Sequence, residues 1–255
     1  MKLKNKIVFI SGANSGIGQA CAEQFAKKGA KLILCSRNLD KLIKVAEKIN
    51  EKYDTEILTY QLDVSDREKV SIVIDELPKK WQKISVLVNN AGGALGFDKF
   101  QDGNIDDWDE MIDSNMKGLL YLSKNILPFM LKNNAGHIIN IGSIAAVAAY
   151  PKGAVYCGVK AASKAISDGL RMDTVDTPIR VTNIQPGLVE TNFSVVRFHG
   201  DKKKADNVYK GLKALAAEDI ADIVLYSAEA PDHVQICEVT VTPTAQASGT
   251  VVHRN

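Results

Sequence analysis

Cysteine is scarce in this sequence of 255 residues, and long apolar runs are missing. The cysteines form no C-x-x-C pair and have no histidine at metal-ligand spacing, which argues against a zinc site or a disulfide framework. No stretch approaches the roughly 18 consecutive apolar residues of a transmembrane helix, and the first residues are too polar for a signal peptide. We therefore expect no metal, no membrane, and a reducing, cytoplasmic location.

An excess of either charge is also lacking, since Lys plus Arg number 32 and Asp plus Glu number 30, for a net charge of +2. This balance gives no reason to expect a nucleic-acid partner or a membrane-surface partner. Hydrophobic residues make up 45% and charged residues 24%, as in globular proteins rather than disordered or fibrous ones. The length is enough for one large α/β domain with a full core.

Short apolar runs alternate along the chain with longer segments that carry apolar residues at helical spacing. The predicted strands are Lys6–Ile10, Lys31–Cys35, Glu56–Leu62, Val86–Asn89, His137–Ile141, Ile179–Ile184 and Ile236–Val241. The predicted helices are Ile17–Lys28, Asp40–Lys52, Arg67–Lys79, Asp107–Asn133, Gly153–Asp173 and Glu218–Ser227. This alternation predicts an α/β fold, in which a doubly wound parallel sheet has helices on both faces.

One connection, at about 187–216, is much longer than the usual two to six residues and has a helical pattern of its own. It follows a predicted strand end, where ligands bind in open sheets, so we predict a substrate loop. No shift in composition and no repeat divides the chain. Residues 1–255 are therefore predicted to form a single domain with this insertion.

The first predicted strand runs into a G-x-x-x-G-x-G turn that opens a helix. At such a turn the backbone can approach a pyrophosphate, and the free N–H groups of the helix N-terminus can bind it. We therefore predict a dinucleotide site. Its candidate residues are Gly12, Asn14, Ser15, Gly16, Ile17 and Gly18.

The end of the second strand bears on the choice of cofactor. Ser36 stands where an acidic residue would bind the ribose hydroxyls of NAD, and Arg37 follows it. A hydroxyl and a guanidinium suit a 2′-phosphate, so NADP is favoured over NAD. The alternative is that Arg37 is only a solvated loop residue. Asn90 is expected to tie strands together. Further candidates for the adenosine site are Asp63, Val64, Asn89, Ala91 and Gly92.

Tyr156 and Lys160 are four residues apart, so on a helix they share one face. A nearby ammonium favours phenolate, so we expect Lys160 to lower the pKa of Tyr156 toward the range useful for proton exchange with a substrate. Ser143, 13 residues upstream of Tyr156, would orient the substrate oxygen. The spacing alone fits equally a surface lysine beside a half-buried tyrosine.

The glycine turn, LDV, NNAG, a helix containing asparagine, Ser143 and Y-x-x-x-K occur in this order. In this combination the chain resembles the short-chain dehydrogenase/reductase family across essentially its whole length. The resemblance implies a Rossmann-type seven-stranded sheet, nicotinamide-dependent oxidation or reduction of an alcohol/carbonyl pair, and a homotetramer. It also implies catalytic roles for Asn115, Ser143, Tyr156 and Lys160, of which Tyr156 and Lys160 also contact the cofactor and Ser143 and Tyr156 the substrate.

The second half carries a narrower resemblance. The segments GSIAAVAAYPKGAVYCGVK, QPGLVETNFSVVRFHGD, AEDIAD and VTPTAQAS are similar to those of NADP-dependent 3-hydroxy acid dehydrogenases. This resemblance implies small 3-hydroxy acids such as L-serine or L-allo-threonine as substrates, or reduction of malonic semialdehyde. The alternatives are a reductase of 3-oxoacyl thioesters or of carbonyls in general, and a nicotinamide-binding regulator without chemistry.

The substrate side of the site is predicted from residues on both sides of the sixth strand. The guanidinium of Arg197 can donate two parallel hydrogen bonds to a substrate carboxylate. The alternative role for Arg197 is a structural ion pair. Tyr150 has no lysine four residues on, so we expect it only to line the substrate pocket. The segment from Val234 onward could join a subunit interface or cover a neighbouring site. Residues expected near the nicotinamide are Pro186, Gly187, Val189 and Thr191.

Overall fold

The computed structural model describes residues 2–255, and within them the centre of the molecule is a seven-stranded parallel sheet. The strands are β1 (Ile7–Ser11), β2 (Lys31–Ser36), β3 (Ile57–Gln61), β4 (Ile84–Asn89), β5 (Gly136–Ile141), β6 (Ile179–Pro186) and β7 (Glu238–Val241). Their spatial order is β3-β2-β1-β4-β5-β6-β7. The order reverses between β1 and β4, which opens a crevice at the carboxyl ends of these strands.

Helices cover both faces of the sheet. They are α1 (Gly16–Lys27), α2 (Leu39–Tyr53), α3 (Arg67–Asp75), α4 (Ile105–Ile112), α5 (Gly118–Lys132), α6 (Ala154–Asp173), α7 (Phe193–Arg197), α8 (Lys202–Tyr209) and α9 (Ala217–Glu229). One core contains Phe25 and Leu42 beneath α1, α2 and α9, and the other contains Val70 and Ile126 beneath α3 and α5. The central strands are buried on both sides, which explains their nearly continuous apolar runs. The predicted doubly wound α/β fold is confirmed.

The helix predicted for Asp107–Asn133 is continuous from Ile105 to Lys132, but it is not α-helical throughout. Between α4 and α5 the chain makes a π-helical turn over Asp113–Lys117. The side-chain amide of Asn115 donates to the carbonyl of Met111 at 2.8 Å, and also to the carbonyl of Gly93 at 2.8 Å. In an α-helix the Met111 carbonyl would accept from the backbone N–H of residue 115, so this side chain competes with the helical ladder.

The long connection predicted at 187–216 contains the two short helices α7 and α8. Both helices contribute side chains to the cleft at the carboxyl ends of the strands. Helix α3 ends at Asp75 rather than at the predicted Lys79, because Pro78 cannot continue a helix. Among residues 2–255, no helix is long and apolar enough to cross a membrane.

Candidate active site

A cleft of about 1000 Å³ lies in the crevice at the carboxyl ends of the strands. It brings together nearly all the residues that the sequence analysis selected from distant segments. The predicted residues on its wall are Gly12, Asn14, Ser15, Gly16, Ile17, Ser36, Arg37, Asp63, Val64, Ala91, Gly92, Ser143, Tyr150, Tyr156, Lys160, Pro186, Gly187, Val189, Thr191 and Arg197.

Three predicted residues lie outside this wall. The side chain of Asn89 is buried behind it, where its amide donates to Ser123 at 3.0 Å and to Asn140 at 2.8 Å. The prediction that Asn89 lines the adenosine site is therefore wrong for its side chain, because the last residue of β4 faces α5. Gly18 is also set back, and a side chain there would collide with the carbonyl of Gly12, so this glycine lets α1 approach the turn.

The third residue outside the wall is Asn115, which is buried in the π-helical turn. Besides its side-chain bonds, its carbonyl accepts a hydrogen bond from the hydroxyl of Ser163 at 3.3 Å. Gly92 comes so close that a Cβ there would lie 2.5 Å from Asn115 Oδ1. Asn115 thus joins the turn after β4 to α6, and its place in a proton relay stays a prediction.

The glycine-rich turn is held by the neighbouring strand. The side-chain amide of Asn90 donates to the carbonyls of Ser11 at 2.9 Å and Gly12 at 3.1 Å. In return, the Ser11 hydroxyl accepts from the backbone N–H groups of Asn90 and Ala91. Gly12 and Gly16 both have positive φ, of 65° and 53°, which glycine adopts without strain. As predicted, Asn90 ties strands together, although it also lines the cleft.

Polar and cationic groups gather at the end of the cleft beside β2. The Ser36 hydroxyl donates to the carbonyl of Asn38, and the guanidinium of Arg37 forms an ion pair with Glu110 of α4 at 2.7 Å. Lys41, in the first turn of α2, also lines the cleft. The sequence analysis did not select Lys41 or Glu110. The position of Lys41 four residues after Arg37 was an available signal, whereas Glu110 gave none.

Ser143, Tyr156 and Lys160 meet at the other end of the cleft. The hydroxyl of Ser143 lies beside the phenol of Tyr156 and lowers its pKa. Lys160 donates from Nζ to the carbonyl of Ile141 at 3.0 Å and lies 5.9 Å from the centre of the Tyr156 ring. The ring of Phe193 packs edge-on against Tyr156 at 5.8 Å. The helical spacing of Tyr156 and Lys160 therefore does place both groups on one face of α6, buried beside a serine hydroxyl.

Burial is the main cause of the pKa shifts of Tyr156 and Lys160. It raises the pKa of the Tyr156 phenol well above its usual range, with a further rise from Tyr150, while the Ser143 hydroxyl and the charge of Arg197 act in the opposite direction. Burial also lowers the pKa of the Lys160 ammonium to about 8. The expectation that Lys160 lowers the pKa of Tyr156 is wrong for the protein alone, because desolvation outweighs the nearby cations.

Arg197 lies among three aromatic rings next to this group. Its guanidinium carbon is 4.7 Å from the ring centre of Phe97, 5.7 Å from Tyr150 and 5.6 Å from Tyr156. Its Nε donates to the carbonyl of Gly96 at 3.2 Å and its Nη1 to the hydroxyl of Tyr150 at 3.2 Å. No carboxylate of residues 2–255 pairs with Arg197, so the structural ion pair considered above does not account for it.

This arrangement of glycine turn, serine, tyrosine and lysine coincides with a match to a family model described as short chain dehydrogenase, which covers residues 6–202. The chain belongs to the short-chain dehydrogenase family. The resemblance drawn from its motifs is confirmed.

Relatives of this short-chain dehydrogenase match it over nearly its whole length. It is 44% identical to an NADP-dependent 3-hydroxy acid dehydrogenase of Schizosaccharomyces pombe, over 99% of this chain and 98% of the relative. It is 41% identical to sulfoacetaldehyde reductase 2 of Chromohalobacter salexigens, over 94% and 95% of the two chains. Among solved structures, the closed form of a serine dehydrogenase complexed with NADP+ matches with a TM-score of 0.91 and 39% identity, over 98% of this chain and 100% of that one.

The C-terminal part of the outer side of the dehydrogenase cleft was not predicted from the sequence. Gln246, Gly249, Thr250, Val252 and Arg254 line it. The Arg254 guanidinium donates to the carbonyls of Val208 and Lys210 at the end of α8. The Tyr209 phenol donates to the carbonyl of Val189 at 3.0 Å. The C-terminal segment therefore lines the cleft of its own chain, and its part in a subunit interface stays a prediction. No motif in the tail gave this signal.

Proposed function

We propose that this enzyme transfers a hydride between NADP(H) and the alcohol or carbonyl carbon of a small 3-hydroxy acid. One observation carries the proposal beyond the family: Arg197, an unpaired guanidinium, lies in the same cleft as the buried Tyr156, 5.6 Å from its ring centre. A short substrate that places its hydroxyl on Tyr156 can place a carboxylate on Arg197. The full-length similarity to 3-hydroxy acid dehydrogenases and to a serine dehydrogenase supports the same substrate class.

The cleft fits a nicotinamide dinucleotide phosphate. The N-terminus of α1 and the positive-φ glycines Gly12 and Gly16 form a surface that backbone-bound phosphates can approach closely. Ser36, Arg37 and Lys41 supply a hydroxyl and two cations for the 2′-phosphate that distinguishes NADP from NAD. When bound, the cofactor supplies or accepts the hydride. NADP is therefore the cofactor that these residues favour.

The chain's own residues handle the proton. Because burial raises the pKa of Tyr156, its phenol holds a proton near neutral pH and is set to donate to a carbonyl oxygen during reduction. The Ser143 hydroxyl, which lines the cleft beside this phenol, would hold the same substrate oxygen. In oxidation Tyr156 must first lose its proton, and Lys160, with a pKa of about 8, is the nearby group able to exchange one near physiological pH.

Arg197 would bind the acid group of the substrate. Its Nε and Nη1 are engaged by Gly96 and Tyr150, which fixes the plane of the guanidinium. The remaining Nη2 edge is left to donate to an anion, in an aromatic setting that strengthens the attraction. Tyr150 thus acts on the substrate through Arg197 and as part of the pocket wall.

A second candidate function is reduction of a short sulfonated aldehyde. The observation that favours it is the 41% identity to a sulfoacetaldehyde reductase over nearly the whole chain. A guanidinium binds a sulfonate with the same donors as a carboxylate, so Arg197 serves either substrate class. The two candidates share cofactor, proton donor and anion site, and differ in the anion alone.

The test is Arg197→Met measured with charged and uncharged substrates, following NADPH absorbance. We expect the KM for L-serine, or for sulfoacetaldehyde if that is the better substrate, to rise about 10- to 100-fold from the loss of a charge-assisted hydrogen bond. The KM for an uncharged alcohol should stay unchanged. The matched control is Lys152→Met, which removes another cation stacked on Phe97, at 5.6 Å, and should leave all KM values as they are.

Two results would reject this assignment. One is an equal rise in KM for charged and uncharged substrates in Arg197→Met, which would mark Arg197 as structural. The other is higher activity of the wild-type protein on acetoacetyl thioester with NADPH than on either acid, which would favour a 3-oxoacyl thioester reductase. A protein that binds NADP but turns over none of these substrates would be a regulator.

We also propose that residues 1–255 act as one catalytic unit in which residues 187–216 form the substrate loop. A homotetrameric assembly, which the family resemblance implies, and a cytoplasmic location belong to the same proposal. Light scattering of the purified protein gives the oligomeric mass directly, and a dimer or a monomer would reject the tetramer.

A further inference from the structure

The ion pair between Arg37 and Glu110 lies in the wall of the cleft, at the end beside β2. Arg37 follows β2, Glu110 belongs to α4, and both side chains line the cleft. The distance from Arg37 Nη1 to Glu110 Oε1 is 2.7 Å. The guanidinium that suits a 2′-phosphate is therefore already occupied by a carboxylate of the same chain.

The backbone around Arg37 is fixed, so only its side chain can change partner. The Gln61 side chain donates to the carbonyl of Arg37 at 3.1 Å, and the Ser36 hydroxyl donates to the carbonyl of Asn38 at 2.9 Å. The Arg37 and Glu110 side chains are 64% and 47% exposed, a setting in which an ion pair contributes little free energy. A phosphate group with two negative charges can replace one carboxylate there.

The geometry points to Glu110 as a specificity-determining residue that competes with the 2′-phosphate of the cofactor for Arg37. Binding of NADP breaks the ion pair and leaves an unpaired carboxylate close to the phosphate. Binding of NAD, which has a hydroxyl at this position, leaves the pair intact. Glu110 therefore lowers the affinity for NADP without affecting NAD, and sets how far the enzyme favours the phosphorylated cofactor. This inference rests on the proposed use of NADP.

The experiment is isothermal titration calorimetry of NADP+ and NAD+ binding to Glu110→Gln, which keeps the size of the side chain and removes its charge. We expect the Kd for NADP+ to fall about two- to fivefold, as the loss of a surface carboxylate competitor predicts. The Kd for NAD+ should not change. The matched control is Asp109→Asn, one residue earlier on the exposed side of α4 and outside the cleft wall, and its Kd values should equal those of the wild type.

A double variant separates competition for Arg37 from simple repulsion. In an Arg37→Gln background, Glu110→Gln should change the Kd for NADP+ by less than it does in the wild type. The reason is that no guanidinium remains for which the Glu110 carboxylate and the 2′-phosphate can compete. An unchanged or higher Kd for NADP+ in Glu110→Gln overturns the inference, as do equal shifts for NADP+ and NAD+ or an equal effect of Asp109→Asn. If the wild-type protein prefers NAD+, the proposed use of NADP fails instead.

Discussion

The two sides of the cleft are held together by different kinds of contact. We define the strand-end wall as the turns after β1, β4 and β5 together with the first turns of α6, and the outer wall as residues 187–216 and 246–254. In the strand-end wall, main chain and small residues meet closely, as where Gly92 lies against Asn115. In the outer wall, long side chains reach backbone carbonyls, as Tyr209 and Arg254 do.

This difference separates chemistry from substrate choice. The strand-end wall carries Ser143, Tyr156 and Lys160, whose positions follow from strand and helix geometry. The outer wall carries Arg197, whose position depends on side-chain contacts that can change one at a time. We therefore expect substitutions in the first wall to affect kcat or folding, and substitutions in the second to affect KM.

The largest effect is expected from Tyr156→Phe in the strand-end wall. Loss of the proton donor should lower kcat about a thousandfold, within the usual range for general acid catalysis. The Kd for NADP+, measured by calorimetry, should stay close to that of the wild type. A decrease in kcat of less than tenfold would mean that another group moves the proton, and the assignment of chemistry to this wall would fail.

Gly92→Ala tests the close packing of the same wall. Gly92 has a φ of 142°, and a Cβ there would lie 2.5 Å from Asn115 Oδ1, so we expect the free energy of unfolding to fall by about 3 kcal/mol. Gly93→Ala is the matched control, because a Cβ at Gly93 has no neighbour within 4 Å. Urea denaturation of both variants gives the comparison. Equal loss of stability in the two would show that backbone approach at Gly92 is not what matters.

Lys160→Met should lower activity and yet stabilise the free protein. Burial lowers the pKa of Lys160 from 10.5 to about 8, so below pH 8 the folded state holds a poorly solvated charge. Allowing for the lost hydrogen bond to Ile141, we expect a gain of about 2 kcal/mol at pH 7. Between pH 8 and 10.5 the unfolded wild-type chain binds more protons at this site than the folded one, so wild-type stability rises relative to the variant and the gain disappears.

Denaturation of wild type and Lys160→Met at pH 7 and pH 10 checks this prediction. The difference between the two proteins is the informative quantity, because burial also raises the pKa values of Cys21 and Cys35 in both. A difference that stays constant with pH would mean that folding does not shift the pKa of Lys160, and that burial does not destabilise its charge.

The smallest effect is expected from Tyr209→Phe in the outer wall. The phenol donates to the carbonyl of Val189 and lies 2.7 Å from the hydroxyl of Ser194, so its loss should cost about 1 kcal/mol of stability. The KM for acid substrates should rise severalfold while kcat is maintained. If kcat fell as far as in Tyr156→Phe, the two walls would not divide chemistry from substrate choice.

The same difference explains how much could be predicted from the sequence. The strands, the glycine turn and the pair Tyr156 and Lys160 depend on local periodicity, so they were predicted correctly as features of the fold or the cleft. The π-helical turn was missed because it depends on a bond from Asn115 to the carbonyl of Gly93, 22 residues away. Asn89 was misplaced because the end of β4 turns its side chain to α5 and leaves Asn90 facing the cleft.

Contacts between residues far apart in the sequence could not be predicted, because they produce no local sequence pattern. Glu110 lies 73 residues from Arg37, and Arg254 lies 44 residues from Lys210. The pKa of Tyr156 was predicted in the wrong direction because spacing shows the neighbouring lysine but not the degree of burial. The sequence shows the charge of Lys160 and its spacing from Tyr156. The desolvation of the phenol can be known only from the folded structure.

The contact between Gly96 and Arg197 has a consequence for divergence. Besides the side-chain bond, the backbone N–H of Gly96 donates to the backbone carbonyl of Arg197 at 2.9 Å. A bond between two main-chain groups persists whatever side chain residue 197 carries. Descendants of this enzyme can therefore exchange the arginine for another residue, and so acquire uncharged or cationic substrates, while the loop stays attached to the turn after β4.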